Sequence, residues 1–130
     1  MMETRRLTAK KAGLAEIMGG KFVKKPGFES SYVLTNMGRR LSRVRVMGLI
    51  VDKFISDDGN YGTITLDDST ETLRCKVFVN SKIFDGINMG DLVDVGGKVK
   101  EYDGELYMGP ETVRPVEPNM ETLRLLELKK

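Results

Sequence analysis

Arg43-Val44-Arg45-Val46-Met47-Gly48-Leu49-Ile50-Val51-Asp52-Lys53-Phe54-Ile55 is the stretch on which the fold turns. It opens with cations alternating with valines, the two-residue period of a strand with one buried face. It then runs on through Gly48 as one long strand. A glycine inside a strand predicts a bulge or a sharp bend at that point. A long, bent strand is what a small closed sheet requires, because one strand must then serve both halves of it.

Downstream the same period repeats between turn signals. Asp57-Asp58-Gly59-Asn60 predicts a hairpin turn, Tyr61 to Leu66 a strand, Asp67-Asp68-Ser69-Thr70 a second turn, and Leu73 to Val79 a third strand. Ser81 to Ile87 reads as a short helical or irregular connection with Ser81 as its cap and Ile83, Phe84 and Ile87 on its apolar side. A fourth strand, Asp91 to Tyr102, contains Gly96-Gly97; Asp103-Gly104 closes a tight hairpin into a fifth, Leu106 to Val116, interrupted by Gly109-Pro110. Pro118 opens a last helix over Asn119 to Lys129. Upstream lie a short helix from Ala12 to Met18, stopped at Gly19-Gly20, and two extended pieces between Lys21 and Thr35. Three strands, a helical connection and two more strands predict an all-β chain, a five-stranded OB-fold barrel with a short N-terminal helix and a C-terminal helix. An SH3-like barrel is the nearest competitor, but its connections lack a helix at that place. The domain reading is a basic arm over 1–11, the OB-fold over 12–116, and a C-terminal helix for subunit assembly over 117–130.

Composition narrows the chemistry. With 130 residues, 40% hydrophobic and 31% charged, the chain suits one globular domain with a core of its own. It has no His and a single cysteine, Cys75. Zinc sites and Cys–His or Ser–His nucleophiles cannot be assembled from that set. We therefore expect no enzyme, metal, cofactor or small-molecule substrate, and read Cys75 as a small core residue. No apolar run approaches a membrane span, and no signal-type segment opens the chain, so the expected setting is intracellular. The net charge of +2 conceals an asymmetry: residues 1–55 hold twelve Lys/Arg against four acids, and 56–130 nine against fifteen. That split predicts a basic face and an acidic face, and a polyanionic partner.

The binding surface of an OB-fold lies on its second and third strands, framed by the first hairpin loop and the last. Alternation turns Leu73, Cys75 and Val77 inward, leaving Arg74, Lys76 and Phe78 outward. On the fourth strand Lys98, Lys100 and Tyr102 face out. Each set is two cations and an aromatic: cations neutralise phosphates, and aromatic faces stack bases. The plainer reading is edge protection by the cations and a covered barrel end under the aromatics. Tyr61 and Phe54 flank the first loop, and Arg43 and Arg45 extend the track. Asp57-Asp58 and Asp67-Asp68 read as turn chemistry, and Asp91 and Asp94 as strand-surface charges. In the last helix Met120, Leu123 and Leu126, with Leu125 and Leu128, form a wide apolar stripe suited to a partner helix, or to folding back on the barrel or on the helix around Leu14 and Ile17.

Several runs look familiar: Leu14 to Val23, Gly38-Arg-Arg-Leu-Ser-Arg-Val-Arg-Val-Met-Gly-Leu-Ile50, Thr63 to Phe78, and Gly90 to Tyr102. Together they resemble, colinearly from about Ala12 to Leu128, the replication protein A middle-subunit family, most closely its archaeal form. The resemblance implies a single-stranded DNA-binding OB-fold subunit acting in DNA replication, repair and recombination. In it Phe78 and Tyr102 align with base-stacking aromatics, and the Pro118–Leu128 segment falls at a trimerisation helix that packs with other replication protein A-like subunits. The family's winged-helix domain and the phosphorylatable tail of its eukaryotic members have no counterpart in these residues. The alternatives are a mainly structural assembly subunit with little DNA binding of its own and an anticodon-type RNA-binding module.

Overall fold

The computed structural model describes residues 9–26, 31–117, 124, 127 and 128. Strand numbers follow chain order: β1 Lys10–Lys11, β2 Lys21–Val23, β3 Tyr32–Leu34, β4 Arg40–Leu41, β5 Arg43–Ile55, β6 Gly62–Asp67, β7 Thr72–Val77, β8 Leu92–Tyr102 and β9 Glu105–Pro115. An α-helix, α1, spans Leu14–Met18, and a 3-10 turn spans Ser81–Phe84.

β5 has two antiparallel neighbours. From Arg43 to Leu49 it pairs with β8, and from Leu49 to Ile55 with β6. The register shift lies between Ile50 and Asp52, so the irregularity sits at Val51 and not at Gly48, where the sequence placed it. Gly48 has another job. A Cβ there would stand 3.2 Å from Leu66 Cβ and 3.3 Å from the Asp67 backbone, so its missing side chain lets β6 lie close where β5 changes partner.

β6 pairs with β7, β7 joins β9 in parallel at Cys75 and Met108, and β9 returns antiparallel along β8. The hydrogen-bonded order β5-β6-β7-β9-β8 thus comes back to β5. Inward residues of all five strands, among them Val44, Val46, Ile64, Leu73, Cys75, Val95 and Met108, form one core with Leu14 and Ile17 of α1.

Phe84 of the 3-10 turn enters the same core with no exposed surface. The cap of this turn is Asn80, whose side chain accepts from Lys82 N, and not Ser81 as the sequence suggested. Ser81 is buried, and its hydroxyl donates to Gly59 O at 2.7 Å, which takes it away from the turn's own amides. Lys53 fixes the other end, donating to Phe84 O at 3.0 Å and Ile87 O at 2.6 Å, a cation on carbonyls left open at a helical C-terminus.

The N-terminal region adds more strand than the sequence suggested. β2, β3 and β4 form a separate antiparallel sheet whose Val33 and Leu41 reach the common core. Lys10 and Lys11, read as part of a basic arm, pair in parallel with Val44 and Arg45. The physical reason is an open edge: β6 meets β5 only from Leu49 onward, so the first half of β5 has a second side to fill.

Arg124, Glu127 and Leu128 are helical. Arg124 donates to Asp94 Oδ2 at 2.9 Å, Lys11 donates to Glu127 Oε1 at 2.9 Å, and Leu128 lies against Gly13. These residues pack on the chain's own β1, β5 and β8. Asp94, expected as a surface charge, is consequently buried, held by Arg124 and by Arg45 at 2.5 Å. Met120, Leu123, Leu125 and Leu126 lie outside the described residues. The paired acids of the two turns do turn chemistry: Asp58 and Asp67 accept backbone amides within their own loops, and Asp68 also accepts Leu14 N at the start of α1. Hydrogen bonds from Ser56 and from the Asn60 amide hold the Asp58 carboxyl below its ordinary range.

Two outcomes test this packing. β8 bulges between Gly96 and Gly97, and a Cβ on Gly97 would fall onto the carbonyl oxygen of Gly109 and within 2.8 Å of Pro110 Cα. Gly97→Ala should cost about 2–3 kcal/mol, read as a lower urea midpoint at unchanged m-value. Burial pushes the Cys75 thiol up from 9.0 to about 12. The unfolded chain then releases that proton first, so the thiol's contribution is complete below about pH 9 and falls away as pH rises towards about 12. In the native protein at pH 8 Cys75 should not react with a thiol reagent, and it should react fully in denaturant.

Candidate nucleic-acid interface

Four aromatic rings run in file across the outer face of β5, β6, β7 and β9. Phe54 stands 6.1 Å from Tyr61, Tyr61 5.5 Å from Phe78, and Phe78 6.3 Å from Tyr107. Phe54 and Phe78 are 54% and 59% exposed, Tyr61 is half-buried, and Tyr107 is buried as the floor. The strands dictate this order. Phe54 lies opposite Thr63 on β6, Thr63 lies opposite Lys76 on β7, and Phe78 follows β7 directly. The Thr63 hydroxyl, at the centre of the row, is buried without a hydrogen-bond partner.

Cations flank the file. The Lys76 ammonium lies 5.0 Å from the Tyr107 ring centroid and donates to Glu105 Oε1 at 2.9 Å. Arg74 is exposed, 3.7 Å from the other oxygen of Glu105. Lys98 and Lys100 are exposed on β8 and make no ion pair among the described residues. A recess of about 510 Å³ brings Lys76, Phe78, Asn80, Lys98 and Lys100 to one surface, with Glu111 at its side. Tyr102 is 73% exposed at the end of β8, where the two-residue turn Asp103-Gly104 has both φ angles positive (53° and 82°) and fixes the hairpin.

Phe78, Arg74, Lys76, Lys98 and Lys100 therefore share one surface, Tyr61 joins it as the middle of the file, and Tyr102 overhangs one end. Arg43 and Arg45 are differently placed. Arg43 donates twice to Glu111, at 2.8 and 2.6 Å, and that hydrogen bonding raises its pKa further. Arg45 is drawn to Asp94 beneath Arg124.

The charge asymmetry resolves differently from the two faces expected of it. Basic residues of the first half bond acids of the second, as in Arg43–Glu111, Arg45–Asp94 and Lys11–Glu127. The cations on the open surface come from the acid-rich half. Sequence reasoning missed Tyr107 and Glu105. Glu105 sits directly across the hairpin from Tyr102, which the Asp103-Gly104 turn made readable; Tyr107 gave no signal, because Leu106, Tyr107 and Met108 are all buried and hide the alternation. Among the described residues no group of three His, Cys, Asp or Glu side chains is placed to hold a metal, and no helix is long and apolar enough to cross a membrane.

Comparison with known proteins fits this geometry. One chain of the S. pombe Stn1–Ten1 complex superposes with a TM-score of 0.75 at 19% identity, over 93% of this chain and 88% of that one. A chain of a replication protein A heterotrimer bound to single-stranded DNA gives 0.72 at 14% identity, over 93% and 92%. At such identities these likenesses establish the fold. The uncharacterized protein MJ1654 of Methanocaldococcus jannaschii is 32% identical over 93 residues, 72% of this chain. The chain spans 37% of the length of that relative. Residues 44–116, from the second residue of β5 to just past β9, match the OB-fold nucleic acid binding domain, and with more than half its length inside that match the chain belongs to this family.

Proposed function

We propose that the chain is a single-stranded DNA-binding module of a replication protein A-like complex, acting in DNA replication, repair and recombination, and that it is not an enzyme. The observation that carries this reading is the file Phe54–Tyr61–Phe78 beside Lys76, Lys98 and Lys100. Exposed rings stack bases without reading sequence, and ammonium groups track the phosphates. The pairing circuit that returns to β5 supports a closed five-stranded barrel beneath that surface. Met120, Leu123 and Leu126 are assigned to the helices of partner subunits. A mainly structural subunit is the second reading; it is favoured by Glu105, which already occupies Lys76 and Arg74.

Fluorescence-anisotropy titration of a labelled dT oligonucleotide at two salt concentrations separates the two. Binding should weaken as salt rises, with log K falling by about 0.7 per phosphate contact in log salt. Phe78→Ala should weaken it by about 1–3 kcal/mol with the fold intact. A folded chain that binds nothing at low salt overturns the DNA-binding reading and leaves the structural one.

Glu105→Gln removes the competing carboxylate from Lys76 and Arg74. It should raise affinity for the same oligonucleotide about 1.5- to fivefold, since an ion pair of this kind is worth about 0.2–1 kcal/mol. Unchanged or weaker binding would mean that the two cations do not meet phosphate.

A further inference from the structure

The recess beside Phe78 is not the end of the cationic surface. Lys98 and Lys100 line it on one side and on the other line a second cleft of about 650 Å³. One wall of this second cleft is the β8–β9 hairpin with Tyr102, and the other is Phe22 of β2 with Lys24 and Ser31. Tyr107, whose ring meets Phe78 edge-on at 6.3 Å, lines the second cleft as well. The two spaces thus share two lysines, and Tyr107 joins the floor of the second to the Phe78 ring of the first.

We propose that a bound strand does not stop at the β6–β7 face but turns past Lys98 and Lys100 into this cleft, where Phe22 and Lys24 form a second nucleotide-binding wall opposite Tyr102. The inference rests on the single-stranded reading above and extends it to residues of the N-terminal sheet. Three features carry it. The volume falls within the roughly 300–1,000 Å³ of sites that enclose a small ligand, enough for a nucleotide. The lining pairs the exposed ring of Tyr102 and the partly exposed ring of Phe22 with three lysines, where the first recess pairs Phe78 with three. Glu101 and Asp103 also line the cleft, so its side-chain charge stays positive by one. Finally, Gly109 leaves the stem of Lys100 space to lie across β9 at the junction: a Cβ there would stand 3.1 Å from Lys100 Cε.

The cleft makes a length-dependent claim. A short oligonucleotide is satisfied by the β6–β7 face, and only a longer one reaches Lys24. The test is anisotropy titration of the whole chain and of Lys24→Glu with dT oligonucleotides of about 5 and about 16 nucleotides, the span of OB-fold site sizes. Lys24 is exposed and outside the core, so the variant should fold, checked by its melting temperature. We expect the short oligonucleotide to bind both proteins within about twofold, and the long one to bind Lys24→Glu about fivefold or more weakly. The salt slope for the long oligonucleotide should fall by about 0.7, one phosphate contact. Lys24→Ala should show the same selectivity with a smaller loss.

Loss of affinity equal on both lengths would be a general effect of charge and overturns the cleft. So does a long oligonucleotide that binds wild type and Lys24→Glu alike. Either result leaves the single-stranded reading standing, provided Phe78→Ala weakens both lengths; absence of wild-type binding to either length defeats both.

Discussion

β5 must hydrogen-bond β8 with its first half and β6 with its second, and the rest of the structure is arranged around that demand. The handover at Leu49 needs the side-chain-free Gly48 for close approach of β6 and an extra residue at Val51 to reset the register. It leaves the far edge of Val44 and Arg45 open, and β1 fills it. It also swings the second half of β5 outward, so that Phe54 stands at the head of the aromatic file while Val44 and Val46 are wholly buried. One geometric requirement of a strand with two partners therefore places both an edge repair and the first ring of the aromatic file.

Charge is spent in two ways across this scaffold. The basic first half and the acidic second half hold each other, Arg43 to Glu111, Arg45 to Asp94 and Lys11 to Glu127, and Arg124 of the second half joins Arg45 on Asp94. These pairs tie sequence-distant strands and the last helical residues together, and Asp94 is buried among them. Removing one member of such a group leaves a charge stranded in low dielectric, which costs far more than losing an exposed pair. The open surface is left with cations drawn from β7 and β8, two of which answer to Glu105 while Lys98 and Lys100 have no such counterpart among the described residues. A net charge computed over the chain, or over its halves, does not distinguish glue from binding surface; the pairing does.

The legible part of this fold was the part written in alternation. Val44, Val46, Leu73, Cys75, Val93, Val95 and Val99 sit where a two-residue period puts them, and Lys98, Lys100 and Phe78 are exposed for the same reason. Asp103-Gly104 was legible because a two-residue turn with positive φ has few spellings. What escaped was set by distant contacts. Asp94 looks like any outward strand carboxylate until Arg124, thirty residues later, covers it. Tyr107 is buried on what should be an outer face because Lys76 of another strand lies over its ring. Arg45 alternates outward as expected, yet the carboxylate that claims it belongs to β8. Period fixes which face a side chain takes, and only the tertiary neighbours decide whether that face is open.

The parallel meeting of β7 and β9 rests on a single registered pair, Cys75 with Met108, whereas each other junction of the circuit is an antiparallel ladder of six or more registered pairs. Local opening of a sheet starts where the fewest backbone hydrogen bonds hold it. That seam divides the proposed binding surface, with Phe78 and Lys76 on one side and Lys100 and Tyr107 on the other. Amide exchange at the seam and accessibility of the groove are then two views of one fluctuation. On the proposed reading, a polyanion lying across both sides acts as a strut over the weakest joint and stabilises the paired form by mass action.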